Sequence, residues 1–117
     1  GIVYRDERQR VIITNPRPFL NIDDIPIPAY DLIPDIQVYA PPQSSYKALP
    51  FVNVITSRGC PGTCTFCDRN TFCNQYRARS AENIFLELKL LREQFNVKEI
   101  AFVDDNFLLN KNFRGHV

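Results

Sequence analysis

Residues 51–67 read FVNVITSRGCPGTCTFC, and this stretch decides the fold. Its first six residues, Phe51 to Thr56, form a β-branched and aromatic run of the kind that makes a buried strand. Ser57, Arg58 and Gly59 end the run, and Cys60, Cys64 and Cys67 follow at CxxxCxxC spacing. Beyond this loop, Ser80 is placed to cap a helix from about Ala81 to Phe95. A serine oxygen accepts a bond from the first-turn amides, and Glu82 suits the positive end of the helix dipole. Ile84, Leu88, Leu91 and Phe95 recur at helical spacing and lay one apolar stripe along one face. KEIAFV, Lys98 to Val103, is the next strand, and Asp104, Asp105 and Asn106 end it. Strand, loop, helix, strand is a βαβ unit with parallel strands. Ligands of such units gather beyond the carboxyl ends of the strands. The cysteine loop and Asp104–Asp105 are therefore expected on one rim.

Toward the amino end, IVYR and RVIIT flank the polar DERQ and predict a β-hairpin with a loop of about four residues. Eight of the nine prolines lie between Pro16 and Pro50, which argues against a regular central strand there. Ile25, Ile27, Tyr30, Leu32, Ile33, Val38 and Tyr39 interleave with them, whereas disordered linkers are poor in such residues. The stretch reads as an extended, ordered arm packed on the core, with one helical turn at PAYDLI that begins at Pro28. The fold class is α/β: an N-terminal β-hairpin and proline-rich arm (residues 1–50), then a βαβ unit (residues 51–117). The chain opens at Gly1 without an initiator methionine and stops soon after a strand, as expected of a piece of a larger protein.

A net charge of +1 provides no electrostatic case for nucleic acid or an anionic membrane as partner. No apolar run approaches the ~20 residues of a spanning helix, and GIVYRDERQR has no signal-peptide core. These features point to a reducing cytoplasm, where clustered cysteines more often bind a metal or cluster than form disulfides. Four uses of the cysteines compete. Two disulfides would need an oxidising compartment, and four buried free thiols would serve no purpose as a cluster. A structural zinc could take Cys60, Cys64, Cys67 and Cys73, although such sites favour paired CxxC knuckles. The fourth is an iron–sulfur cluster held by three thiolates with one iron left open.

CPGTCTFC, with Phe66 before the third cysteine, resembles the cluster motif of the radical S-adenosylmethionine (radical SAM) enzymes. Four segments in order are similar to the cobalamin-binding branch of that family: DDIPIPAYDLIP, TSRGCPGTCTFC, YRARSAENIFLEL and FVDDNF. The resemblance implies that the βαβ unit is the first of a partial TIM-type barrel and that the arm joins it to a preceding cobalamin domain. It implies a [4Fe–4S] cluster on Cys60, Cys64 and Cys67, whose open iron chelates the amino and carboxylate groups of S-adenosylmethionine. Electron transfer into the sulfonium then yields a 5′-deoxyadenosyl radical. Three thiolates on one short loop suit this task, with Gly62 permitting close backbone approach and Pro61 stiffening the turn.

The resemblance further places Asp104 and Asp105 near the methionyl amino group, where an acid meets a cationic or N–H-donating group. The alternative is a strand-end turn with solvated carboxylates. Phe66 would stack on the adenine, or else pack in the core. Cys73 is not a ligand by resemblance; it is a small thiol, or a fourth ligand when substrate is absent. Arg58, Arg69, Arg77 and Arg79 against Asp68 make the loop region basic, which either offsets an anionic cluster or forms a solvated rim. His116, the only histidine, reads as a tail residue. The implied partners are a small-molecule substrate, a reductant such as ferredoxin or flavodoxin, and the remaining parts of the parent chain. Two other classes stay open: a non-catalytic zinc-binding interaction module, and an iron–sulfur electron carrier with Cys73 as fourth ligand.

Overall fold

A computed structural model describes residues 1–68 and 74–109 of the chain. Val3–Arg5 (β1) and Val11–Ile13 (β2) pair antiparallel, with Val3 opposite Ile13. Asp6 closes the hairpin loop: its Oδ1 accepts from the Arg8 and Arg10 amides, and its Oδ2 meets the Arg10 guanidinium at 2.7 Å.

The second half runs through Phe51–Val54 (β3), Ser57–Arg58 (β4), Arg77–Ala78 (β5), Ala81–Phe95 (α1) and Glu99–Phe102 (β6). β3 and β6 are parallel neighbours, with Phe51 opposite Glu99 and Val54 opposite Phe102, and α1 is the crossover between them. The expected βαβ unit is present. Side chains alternate across a strand. Val52 and Val54 therefore share the face that packs with Leu91, Val97 and Tyr30 in the core. Of the apolar stripe on α1, Ile84 and Leu91 are buried, while Leu88 and Phe95 are partly buried against the core.

The ends of α1 follow from single residues. The Ser80 hydroxyl accepts from the Asn83 amide at 3.1 Å, and Asn96 closes the helix in the left-handed region, φ 52°. Ser80→Ala should therefore cost about 1 kcal/mol of stability, read as a lowered urea midpoint. A change below a few tenths would count against the cap.

The arm is less extended than the sequence suggests. It makes four short 3₁₀ turns: Ile22–Asp24, Tyr30–Leu32, Ile36–Tyr39 and Gln43–Ser45. The turn in PAYDLI starts at Tyr30 with Ala29 as its cap, two residues after Pro28. Prolines remove the amide donors that longer helices need, so only brief turns survive between them. Ile27, Ile33 and Ile36 pack against the core, and the Tyr30 ring meets Phe95 edge-on at 5.9 Å between centroids. The arm's end is tied to β6, because Glu99 accepts from the Lys47 and Ala48 amides at 2.6 and 2.8 Å. Among the described residues no helix is long and apolar enough to cross a membrane.

Candidate functional site

β4 leaves the carboxyl end of β3 and pairs antiparallel with β5, Ser57 opposite Ala78 and Arg58 opposite Arg77. These two-residue strands are too short to leave a periodic signal in sequence. They form the base of the cysteine loop, with β4 as its entry stem and β5 as its exit stem. Cys60, Cys64 and Cys67 follow the entry stem as free thiols, Cys60 half-buried and the other two exposed. Cys60, Gly62, Cys64, Cys67, Asp68 and Asp105 line one pocket. The three predicted ligands and one of the two predicted carboxylates thus share a rim at the carboxyl ends of β3 and β6.

Gly62 lies against two of the sulfurs. A Cβ at this position would lie 3.3 Å from Cys60 Sγ and 3.9 Å from Cys64 Sγ, in the space these sulfurs border. The Gly62 amide also donates to Cys60 Sγ at 3.4 Å. Among the described residues no three His, Cys, Asp or Glu side chains are grouped to hold a single metal ion. A polynuclear iron–sulfur cluster makes a different demand, because each thiolate binds its own iron. Three soft thiols from one loop lining one pocket fit that group.

The two adjacent aspartates have different surroundings. Asp104 Oδ1 accepts from Thr56 N and Thr56 Oγ1, both at 2.9 Å, from Ser57 Oγ at 2.7 Å, and from Ser57 N. Thr56 and Ser57 are buried, so this carboxylate satisfies donors that water does not reach. It clamps the end of β6 to the start of the cysteine loop. Asp105 is exposed and faces the cysteine pocket. Phe66 is 87% exposed and packs on no core among the described residues. Cys73, Arg69 and His116 lie outside the described residues.

Sequence reasoning missed a buried polar cluster on the far side of the exit stem. Glu87 is 2% exposed; three residues after Ile84 and four before Leu91, it sits on the same face of α1 as the apolar stripe. Its Oε1 accepts from the Tyr30 hydroxyl at 2.6 Å, and its Oε2 pairs with the Arg79 guanidinium. Arg79 also donates to Asn83 Oδ1 at 2.6 Å and to the Ile55 carbonyl at 3.1 Å. Arg79 is thus part of the interior rather than of a solvated rim. Helical spacing places the Glu87 carboxylate on the buried face, but no local pattern names its partner Tyr30, 57 residues away in the chain.

Burial, followed by the bond to Glu87, holds the Tyr30 phenol well above its ordinary 10.0. The folded chain therefore keeps a proton that the unfolded chain releases. The resulting stability is fully present below about pH 10 and is lost as pH rises further. Tyr30→Phe should flatten the alkaline fall in melting temperature above about pH 10. An identical alkaline fall in both proteins would argue against Tyr30 as its source.

The model of the Radical SAM superfamily matches residues 54–116, which is more than half of the chain. An uncharacterized methyltransferase of Pyrococcus horikoshii is 43% identical, over 95% of this chain and 23% of that protein. The hopanoid C-2 methylase of Rhodopseudomonas palustris is 34% identical, over 93% and 18%. The anaerobic magnesium-protoporphyrin IX monomethyl ester cyclase of Synechocystis is 29% identical, over 95% and 21%. The chain thus spans about a fifth of the length of these relatives. No solved structure matches. A CxxxCxxC loop at the carboxyl end of a parallel strand, inside the matched residues, leads to one conclusion: the chain belongs to the radical SAM superfamily.

Proposed function

We propose that Cys60, Cys64 and Cys67 hold a [4Fe–4S] cluster and that the whole protein is a radical SAM enzyme acting on a small molecule. The observation that carries this is the pocket shared by the three cysteines, Gly62 and Asp105 at the carboxyl ends of β3 and β6. When bound, such a cluster supplies the electron that cleaves S-adenosylmethionine to a 5′-deoxyadenosyl radical.

Each residue of the site has a part in this reading. The three thiolates come from one loop, so together they would hold three irons of one cluster and leave the fourth without a protein ligand. Gly62 keeps the gap between two of the sulfurs clear. Asp105, exposed on the same pocket, accepts N–H bonds from the cofactor's amino group. Asp104 contributes by fixing Thr56 and Ser57 at the loop entry. The exposed Phe66 ring is available to stack on adenine.

In this reading β3, α1 and β6 are the first unit of a partial TIM-type barrel within residues 51–117. Residues 1–50 are the hairpin and arm that join it to a cobalamin-binding domain. The likeness to proteins named as methyltransferases and a methylase supports a methyl transfer in a cobalamin-dependent context, and the likeness to a cyclase supports the wider radical chemistry. Reductant would come from a ferredoxin or flavodoxin in the cytoplasm. The zinc module is the weaker reading, since the family match covers the cysteine loop itself.

Anaerobic reconstitution with iron and sulfide tests the proposal. Bound iron with acid-labile sulfide and a broad visible absorption are expected; one colourless zinc per chain would overturn it. A radical in water is quenched, and β6 has a neighbour on one side only among the described residues. The reconstituted chain alone should therefore not release 5′-deoxyadenosine over multiple turnovers with S-adenosylmethionine and a strong reductant. Sustained turnover would show that a complete pocket is already in these residues.

A further inference from the structure

We propose that the proline-rich arm positions the cysteine loop, with Tyr30 and Phe19 as positioning residues that act through Arg79 and Arg77. The arm touches the exit stem and its continuation at three places. The Phe19 ring lies under the Arg77 guanidinium, 4.0 Å from its carbon. Tyr30 and Arg79 meet on the two oxygens of Glu87. Asp23 Oδ1 accepts from the Ser80 amide at 2.9 Å, and the Asp23 carbonyl accepts from Asn83 Nδ2 at 3.4 Å.

Arg79 carries this grip across to the entry stem. Its amide donates to the Thr56 carbonyl at 2.9 Å and its guanidinium to the Ile55 carbonyl. One arm-held residue therefore spans both stems from which the thiolates hang. No arm residue lines the cysteine pocket, so the arm acts by placement and not by contact.

The physics makes the link stiff. A buried carboxylate is stable only when its oxygens are paired and hydrogen-bonded, and Glu87 finds its pairing in Arg79 and Tyr30. Charge-assisted bonds of this kind are roughly twice as strong as neutral ones. Without the phenol, Arg79 is the remaining side chain that satisfies Glu87. The guanidinium then trades its hold on Ile55 for a fuller one on the carboxylate. The arm joins the barrel segment to whatever precedes it, so a displacement of the arm is passed to Cys60, Cys64 and Cys67 relative to Asp105. This last consequence rests on the cluster reading above; the mechanical link does not.

Hydrogen–deuterium exchange on the whole protein, free of metal, separates the two. Tyr30→Phe should speed exchange of amides in residues 55–58 and 74–79 about tenfold, the loss of one charge-assisted bond. Phe19→Ala, at a ring that is 49% exposed and outside the core, should speed the same amides about threefold. Amides 84–95 of α1 should keep wild-type rates in both. In iron-loaded protein, Tyr30→Phe should shift the g values of the reduced cluster at unchanged iron per chain. Wild-type stem exchange in both variants, acceleration spread equally over α1, or wild-type g values in Tyr30→Phe would overturn the proposal. Faster stem exchange in a protein that binds no iron at all would support the arm's role while removing the cluster reading.

Discussion

Cys64→Ala is expected to leave a protein that retains no [4Fe–4S] cluster, and Cys60→Ala and Cys67→Ala are expected to do the same. In the proposed cluster the thiolates would be the ligands, and the CxxxCxxC spacing supplies three of them. Losing one would leave a second iron of that cluster without a protein ligand. The other acidic groups lining the pocket, Asp68 and Asp105, would offer hard oxygen rather than soft sulfur in its place. Cys73→Ala should keep most of its iron, because Cys73 falls outside the CxxxCxxC spacing. The measurement is iron and sulfide per chain after anaerobic reconstitution, with the visible spectrum alongside. Should Cys73→Ala lose as much iron as Cys64→Ala, a four-thiolate site would be the better account.

Asp104→Ala should be the most damaging substitution outside the cysteines, at about 3 kcal/mol or more of stability. Its Oδ1 is the shared acceptor for the backbone amides and hydroxyls of both Thr56 and Ser57. Those residues are 0% and 2% exposed, so water cannot replace the lost acceptor. Buried donors without partners carry the full desolvation penalty, and the total is a large share of the 5–15 kcal/mol that holds a typical domain. Asp104→Asn should fall between, because it keeps one oxygen but loses the charge. Asp105→Ala, at the neighbouring exposed position, should leave stability within about 0.5 kcal/mol while weakening S-adenosylmethionine binding. Urea unfolding of the three variants decides the matter. A small loss for Asp104→Ala, or an equal loss for Asp105→Ala, would contradict the division of labour between the two carboxylates.

Local signals were enough for the βαβ unit. Its strands are four-residue apolar segments, its helix has a serine cap and a stripe at helical spacing, and both features act over a few residues. The hairpin was legible for the same reason, and the three cysteines because they are contiguous in one loop. The arm was legible only as ordered: its prolines announce broken structure without saying which turns form. The two-residue strands β4 and β5 were invisible because nothing so short has a period.

By itself the sequence determined the thiol loop, the strand before it, the helix after it and the order in which they come. Only the tertiary structure decided which charged residues are surface and which are structural. Asp104 and Asp105 are chemically identical neighbours, yet one binds Thr56 and Ser57 across 48 and 47 residues while the other faces the cysteines. Glu87 lies on the apolar face of α1, and only the fold shows that Tyr30 from the arm and Arg79 satisfy it there. A carboxylate's role depends on which donors the fold brings within about 3 Å, and donors from distant segments leave no mark on the local pattern.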